Sequence, residues 1–314
     1  MKRKINRVGQ NTLTVSLPSK WAKQHKLQPG DEVELVEEAK ALIVSIEPNK
    51  PYKKATVINA DLQDQQDHYL SLSKYLTILY KTGYTNITIL HSKGQIANFK
   101  TESKSNIKDS IKKITNRLMG MEIVNQTDSK TEIESFIVDE HSNLDTIGRR
   151  IYFLMKETIN EIFTSIGPEF DRFEDTMYDR HDNITKFINF FLRELYVSNV
   201  SEDEKKVAYA FYSQLDMLVD KLRHICEQIK KRGCSEKAKK HLKTIFDIFD
   251  SYFGWFKNKN ISRSSIVARY NFKKTLDDDR LSADDLHIIK EAYIFLESLN
   301  LFAEYSLVRK AGEK

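Results

Sequence analysis

The sequence contains few residues that interrupt helices and few that cross-link chains. Its 314 residues include five prolines and ten glycines, which predicts a largely helical protein. The two cysteines, Cys226 and Cys234, lie in no metal-ligand or redox spacing, so we expect a reduced, cytoplasmic protein. No apolar run approaches the roughly 20 residues that a membrane span needs, and the N-terminus lacks the apolar segment of a signal peptide. We therefore expect neither export nor membrane insertion.

Acidic residues are absent from the first thirty positions. That stretch instead carries seven basic side chains: Lys2, Arg3, Lys4, Arg7, Lys20, Lys23 and Lys26. The acids begin at Asp31, and the net charge of the whole chain is only +5, so the basic character is local. Such segregation predicts a surface that binds a polyanion, for which DNA is the leading candidate. The predicted DNA-binding residues are Lys2, Arg3, Lys4, Arg7, Lys20 and Lys23. A solvated basic surface, or a site for RNA or an acidic protein, is the alternative.

Residues 1–48 have the pattern of a small domain of short strands around one helix. Apolar and hydroxyl residues alternate over 12–17, which predicts a half-buried strand, and Pro18 ends it. Ser19 is the predicted N-cap of a basic helix over 20–26, and Gly30 allows a tight turn into strands near 33–36 and 41–46. Fewer than fifty residues bury too little surface for stability alone, so we expect this domain to pair with a second copy.

Residues 52–139 predict a small α+β sandwich with the order βαβαββ. The predicted strands cover 55–59, 84–90, 122–124 and 132–138, and the predicted helices cover 69–81 and 107–118. This segment contains no glycine-rich phosphate loop and no pair of acids at a strand end. We interpret it as a spacer or dimerisation domain.

Residues 140–314 show helical periodicity and no strand signal. The predicted helices cover 143–167, 169–197, 203–231, 235–258, 262–277 and 282–309. Six helices grouped as three plus three would form an antiparallel bundle. Tyr252, Phe253, Trp255 and Phe256 crowd one helix end, where we expect them to belong to the bundle core; the alternative is that some of them form a partner-facing patch.

Two of these predicted helices carry acidic residues at helical spacing. The candidate metal ligands are Asp175, Asp179, Asp216, Asp220 and Glu227. Facing carboxylate stripes could hold a divalent or iron cation, which would relieve their mutual repulsion. Alternatively, these are exposed acids that Lys221 and Arg223 neutralise. His181-Asp182 lacks a second histidine-aspartate cluster, so we interpret it as exposed polar residues. Because no catalytic constellation is evident, we do not expect an enzyme.

The N-terminal segment resembles the AbrB/MazE/SpoVT swapped-hairpin DNA-binding family. The resemblance lies in Arg7-Val-Gly, Val15-Ser-Leu-Pro18 and Leu27-Gln-Pro-Gly-Asp31. It implies an obligate dimer whose two chains interleave their hairpins into one β-barrel. By position, Arg3, Arg7 and Lys23 match basic sites of the family. Thr14 stands where the family often has an arginine.

The helical region resembles PhoU, the phosphate-uptake regulator. Residues 215–227, Leu-Asp-Met-Leu-Val-Asp-Lys-Leu-Arg-His-Ile-Cys-Glu, are similar to its acidic helix motif, and Asp175 and Asp179 match the partner motif. The segments 76–84 and 118–123 are similar to the spacer of archaeal proteins that join an AbrB-like head to a PhoU-like tail.

Together the resemblances imply a dimeric transcription regulator of phosphate uptake with a helical sensor. Its expected partners are DNA, a second copy, and a phosphate transporter ATPase or phosphate-signalling protein. The alternative is an interaction protein that docks on a phosphate transporter complex and uses its head as a dimeriser or antitoxin-like clamp.

Overall fold

A computed structural model describes residues 3–9, 11–38, 41–46, 54–60, 68–92, 94–98, 102–136, 143–168, 170–198, 200–253, 271–272 and 281–297. The chain divides into two units, residues 1–50 and residues 51–314. The predicted domain boundaries at 48–52 and 139–140 fall outside the described ranges. The division into three domains therefore stays a prediction.

The first unit consists of two antiparallel hairpins and one short helix. The bounds are β1 (Ile5–Val8), β2 (Thr12–Val15), α1 (Ser19–Gln24), β3 (Glu34–Glu38) and β4 (Ala41–Ser45). In the first hairpin Ile5 lies opposite Val15, and the chain turns at Gly9, which has a φ of +70°. The two hairpins form separate two-stranded sheets, so the described part of a single chain does not form the predicted closed barrel. Four short strands from one chain are too few to close such a structure.

The helix α1 begins one residue earlier than its sequence predicts. Ser19 is its first residue and Pro18 holds the N-cap position, without a side-chain cap, so the predicted capping role of Ser19 is wrong. Proline fixes φ and needs no amide partner, which suits it to a helix start. The turn after the helix is as predicted: Gly30 has a φ of +102°, and Asp31 Oδ2 accepts a hydrogen bond from the Gln28 amide at 2.7 Å.

The second unit begins with a four-stranded sheet covered by helices. Its elements are β5 (Lys54–Asn59), α2 (His68–Lys81), β6 (Tyr84–Leu90), β7 (Gln95–Asn98), β8 (Ser103–Asn106), α3 (Ile107–Thr115), β9 (Met121–Gln126) and β10 (Lys130–Ser135). The sheet order is β5-β6-β10-β9, with β5 parallel to β6 and the other pairs antiparallel. Ile87 and Ile89 point to a buried face against Leu76 and Tyr80 of α2, which explains the alternation of β6.

The sequence prediction missed the hairpin of β7 and β8. Gln95 lies opposite Asn106 in this hairpin, and β8 has the sequence Ser-Lys-Ser-Asn. Such residues have little intrinsic preference for strands, so the pairing depends on contacts with the rest of the unit. The last residue of β8 also caps α3, because Asn106 Oδ1 accepts from the Lys108 amide at 2.8 Å.

The remainder of the second unit is helical, as the periodicity predicts. The described helices are α4 (Leu144–Ser165), α5 (Phe170–Val197), α6 (Glu202–Arg232), α7 (Glu236–Phe253) and α8 (Ala283–Glu297). The apolar stripe of α6 is buried from Phe211 to Ile229 within one core that all five helices share. The predicted helix 262–277 lies outside the described residues except for Asn271 and Phe272, and so does the predicted segment 298–309.

Arg193 of α5 joins the helical region to the sheet. Its side chain is only 7% exposed, and its Nη1 donates to the carbonyl oxygens of Tyr80 and Tyr84, each at 2.8 Å. The same guanidinium lies 4.8 Å from the centre of the Tyr80 ring. Gly83 between these carbonyls has a φ of +84° and packs against Val197 at the end of α5. The turn from α2 to β6 is therefore held by a buried cation from the helical region.

Candidate nucleic-acid interface and the acidic helix pair

Basic side chains of the first unit lie in the segment that leads through β1 and on the helix α1. Arg3, Lys4, Arg7, Lys20 and Lys23 are all exposed, while Lys2 lies outside the described residues. Arg7 is in β1 opposite Leu13, and Lys20 and Lys23 are one turn apart on α1. The described residues that were predicted to bind DNA thus lie in or just before β1 and on α1, within one small unit.

No carboxylate of the described chain forms an ion pair with these five cations. Lys26, which lies two residues after α1 and has a φ of +57°, is also exposed and forms no such pair with a described carboxylate. Exposed, unpaired cations at this density attract phosphates and release counterions when they bind. The local electrostatics therefore suit a polyanion.

The first hairpin also exposes its apolar face. Ile5 and Leu13 are 69% and 66% exposed, and Val15 is exposed too. In the second hairpin Leu35 and Leu42 are likewise exposed. Because directly opposed residues share a face, Ile5, Arg7, Leu13 and Val15 all lie on one side of the hairpin. The described part of α1 contains no buried residue. An exposed apolar face of this kind in such a small unit is typical of an interaction surface, and Arg7 lies on that face.

The predicted acidic stripes lie along the seam between α5 and α6, but basic side chains separate them. His181 Nε2 lies 3.1 Å from Asp220 Oδ1, and its Nδ1 lies 3.1 Å from Asp182 Oδ1. Thr185 donates to Asp216 at 2.9 Å. Arg117, which follows α3, forms an ion pair with Asp182 at 2.7 Å. This ion pair extends the row of charged side chains from the seam towards the sheet.

His181 is therefore a bridging residue, and its interpretation as an exposed polar residue is wrong. Its side chain is 15% exposed. Burial alone would lower the pKa of His181, but its hydrogen bonds to Asp182 and Asp220 outweigh this and raise the pKa to about 9. The imidazolium in turn holds the pKa of Asp220 below its usual range. The bridge to Asp220 has no signal in the sequence pattern, since the two residues are 39 positions apart.

The other predicted metal ligands pair separately. Glu227 contacts Arg223, Asp175 lies 3.5 Å from Lys230, and Asp179 is exposed. Across the described residues, no three histidines, cysteines or acids are grouped as a metal site requires. Asp220 lies beside His181 and Glu227 beside Arg223, so basic side chains of the protein itself accompany part of the predicted donor set. A cation site on this seam stays a prediction.

Comparison with known proteins identifies the class of the N-terminal domain. Residues 7–56 match the MazE family, described as antidote-toxin recognition MazE, bacterial antitoxin. The match supports an AbrB-like domain at this end of the chain, in agreement with the sequence motifs. No curated protein and no solved structure matches the chain significantly. In the part of the chain that the structure describes, no helix is long and apolar enough to cross a membrane.

Proposed function

We propose that this protein is a DNA-binding transcription regulator that acts as a homodimer through its N-terminal domain. One observation carries the proposal: a MazE-type domain presents exposed basic side chains that no described carboxylate neutralises. Its uncovered apolar strand face supports pairing with a second copy. Pairing would double the number of cations that one assembly offers to DNA.

We propose further that the helical region is a PhoU-like sensor and that the regulated process is phosphate uptake. The support is the similarity of residues 215–227 to the PhoU helix motif and the helical character of α4–α8. A signal can act on the heads only if it binds one arrangement of the dimer more tightly than another. A phosphate transporter ATPase or a phosphate-signalling protein is the partner that this resemblance implies.

Gel shifts with the full-length protein test the DNA-binding proposal. The probes are the gene's own upstream region and the promoters of phosphate transporters. We expect the Arg3→Ala, Arg7→Ala, Lys23→Ala variant to bind DNA much more weakly and to keep its helical circular dichroism. If each lost cation contacts one phosphate in both copies, the slope of log K against log salt falls by about 5. This slope measures the contacts directly.

A matched variant controls for total charge. Lys74, Lys104 and Lys290 are exposed and lie in the second unit, so their replacement by alanine removes the same charge elsewhere. This variant should bind DNA as the unmodified protein does. If the unmodified protein fails to bind any of these probes at low salt, or if both variants lose affinity equally, the DNA-binding proposal is wrong.

The name of the matched family favours a second candidate function. MazE is described as an antitoxin that recognises a toxin, and an analogous head could serve here as a dimeriser or a clamp on a protein partner. The helical region would then dock on a phosphate transporter complex. In that case the triple alanine variant would remain dimeric in sedimentation experiments and would retain its regulatory effect, although it binds no DNA.

A further inference from the structure

A groove of about 740 Å³ lies between α4 and α7, away from the seam of α5 and α6. Its floor is apolar and aromatic, with Ile159 and Phe163 from α4 and Phe246 and Phe249 from α7. Phe163 is half-buried, and its ring meets that of Phe246 edge to face with the centres 5.3 Å apart. This volume lies in the range of small-molecule sites, roughly 300–1,000 Å³.

The charges along the groove are separated. Towards the start of α7 the lining contains Lys239, Lys240 and Lys243, and none of them forms an ion pair with a described residue. Glu236, one turn before Lys240, is the acid at this end. Three unpaired ammonium groups within five residues of one helix repel each other, and a multiply charged anion would relieve that repulsion.

The opposite end is acidic. Asp250 is already engaged, because Lys156 Nζ lies 2.8 Å from both of its carboxylate oxygens and the Tyr152 hydroxyl donates to it. Asp247, one turn towards the lysines, is exposed in the same lining and can accept hydrogen bonds. From Lys240 to Asp250 the helix rises about 15 Å. The groove therefore offers cations at one end, an apolar strip in the middle and a hydrogen-bond acceptor at the other end.

We propose that this groove binds a nucleoside di- or triphosphate. The phosphates contact Lys239, Lys240 and Lys243, which act as point-charge donors. The flat base lies along the exposed part of Phe163, since ring stacking on aromatic side chains tolerates any base. Asp247 accepts hydrogen bonds from ribose hydroxyl or base amino groups. A simple carboxylate amphiphile would satisfy only one of the three lysines, and inorganic phosphate would leave the apolar strip and Asp247 unused.

Calorimetric titration of the full-length protein with ADP, ATP, pyrophosphate and inorganic phosphate tests the site. We expect ADP and ATP to bind and pyrophosphate to bind at least about tenfold more weakly, because it lacks the base and the ribose. The Lys240→Ala, Lys243→Ala variant should weaken ADP binding at least about tenfold, through the loss of two charge-assisted contacts. The Lys240→Arg, Lys243→Arg variant keeps the charge and should restore most of the affinity, which separates a lost contact from a damaged fold.

Two controls separate this site from the basic head. The Lys104→Ala, Lys290→Ala variant removes the same charge outside the groove and should bind ADP normally. The Arg3→Ala, Arg7→Ala, Lys23→Ala variant should also bind ADP normally, whether or not the head binds DNA. Absence of ADP and ATP binding at millimolar concentrations overturns the proposal, and so does binding that the groove variant leaves unchanged or that the head variant abolishes. Equal affinity for pyrophosphate and ADP would overturn the assignment of a nucleoside.

Discussion

The contact of Arg193 with the turn from α2 to β6 can be tested by one substitution. Arg193→Met keeps most of the side-chain volume but removes the two hydrogen bonds to the carbonyls of Tyr80 and Tyr84. Hydrogen bonds to charged groups contribute about 1.5–3 kcal/mol each, and both carbonyls would lose their charged partner. Burial of the guanidinium, which lowers the pKa of Arg193, offsets part of this gain. We expect the free energy of unfolding to fall by about 3 kcal/mol.

Hydrogen exchange in the full-length protein locates the effect. The amides of Thr82 and Gly83 donate to Ile78 and Tyr80 carbonyls within the turn that Arg193 holds. In the variant these amides should exchange faster than those in the middle of α6, because the turn loses its anchor first. Urea unfolding, followed by circular dichroism, gives the loss in free energy.

Arg149 provides the matched control. It lies on the exposed side of α4, where its hydrogen bond to Thr146 is long at 3.4 Å, so Arg149→Met should change stability by no more than about 0.5 kcal/mol. A loss below about 1 kcal/mol for Arg193→Met, with unchanged exchange at Thr82 and Gly83, would refute the proposed anchor.

Two further predictions concern the head and the charged seam. Val15→Asp places a charge on the exposed apolar face of the first hairpin and should shift the protein from dimer to monomer in analytical ultracentrifugation. The control variant Thr14→Asp, on the opposite face, should remain a dimer. A Val15→Asp variant that stays dimeric would contradict the proposed interface. The pKa of His181 is raised from 6.5 to about 9 in the folded chain, so its stabilising contribution is complete below pH 6.5 and is lost as the pH rises through 9. That contribution is at most about 3 kcal/mol, and His181→Gln should flatten the fall in melting temperature between pH 6.5 and 9. If the melting temperature of the variant depends on pH in the same way as that of the unmodified protein, the bridge does not contribute to stability.

Elements with strong local periodicity could be predicted from the sequence. The strand β6 follows its predicted bounds of 84–90, because isoleucines alternate with threonine and asparagine across a half-buried sheet. The helix α6 lies within one residue of its prediction at each end, because Ser201 accepts from the Glu204 amide and Gly233 ends the helix with a φ of +75°. In these cases the residues that decide the structure are neighbours in the chain.

The features that the sequence did not predict depend on residues far apart in the chain. The strand β8 consists of polar residues with no strand pattern, and the bridge from His181 to Asp220 joins groups that only the packing of α5 on α6 brings together. Arg193 contacts residues more than 100 positions away, although its position in α5 gives no sign of burial. The basic residues of the candidate interface could be predicted from the sequence, because they cluster in a segment that contains no acidic residue. The proposed pairing of one head with another would be a property of two chains.

If the uncovered hairpin pairs with a second copy as proposed, the number of assembled heads depends on the concentration of the protein. A head that completes its core only against another copy would become ordered and acquire a second set of binding residues in the same bimolecular step. Mass action would then govern both the ordering and the number of binding residues. At concentrations below the dissociation constant, halving the number of chains would reduce the number of assembled heads about fourfold. Occupancy of a binding site on the chromosome would then respond to synthesis and degradation more steeply than linearly, before any ligand reaches the helical region.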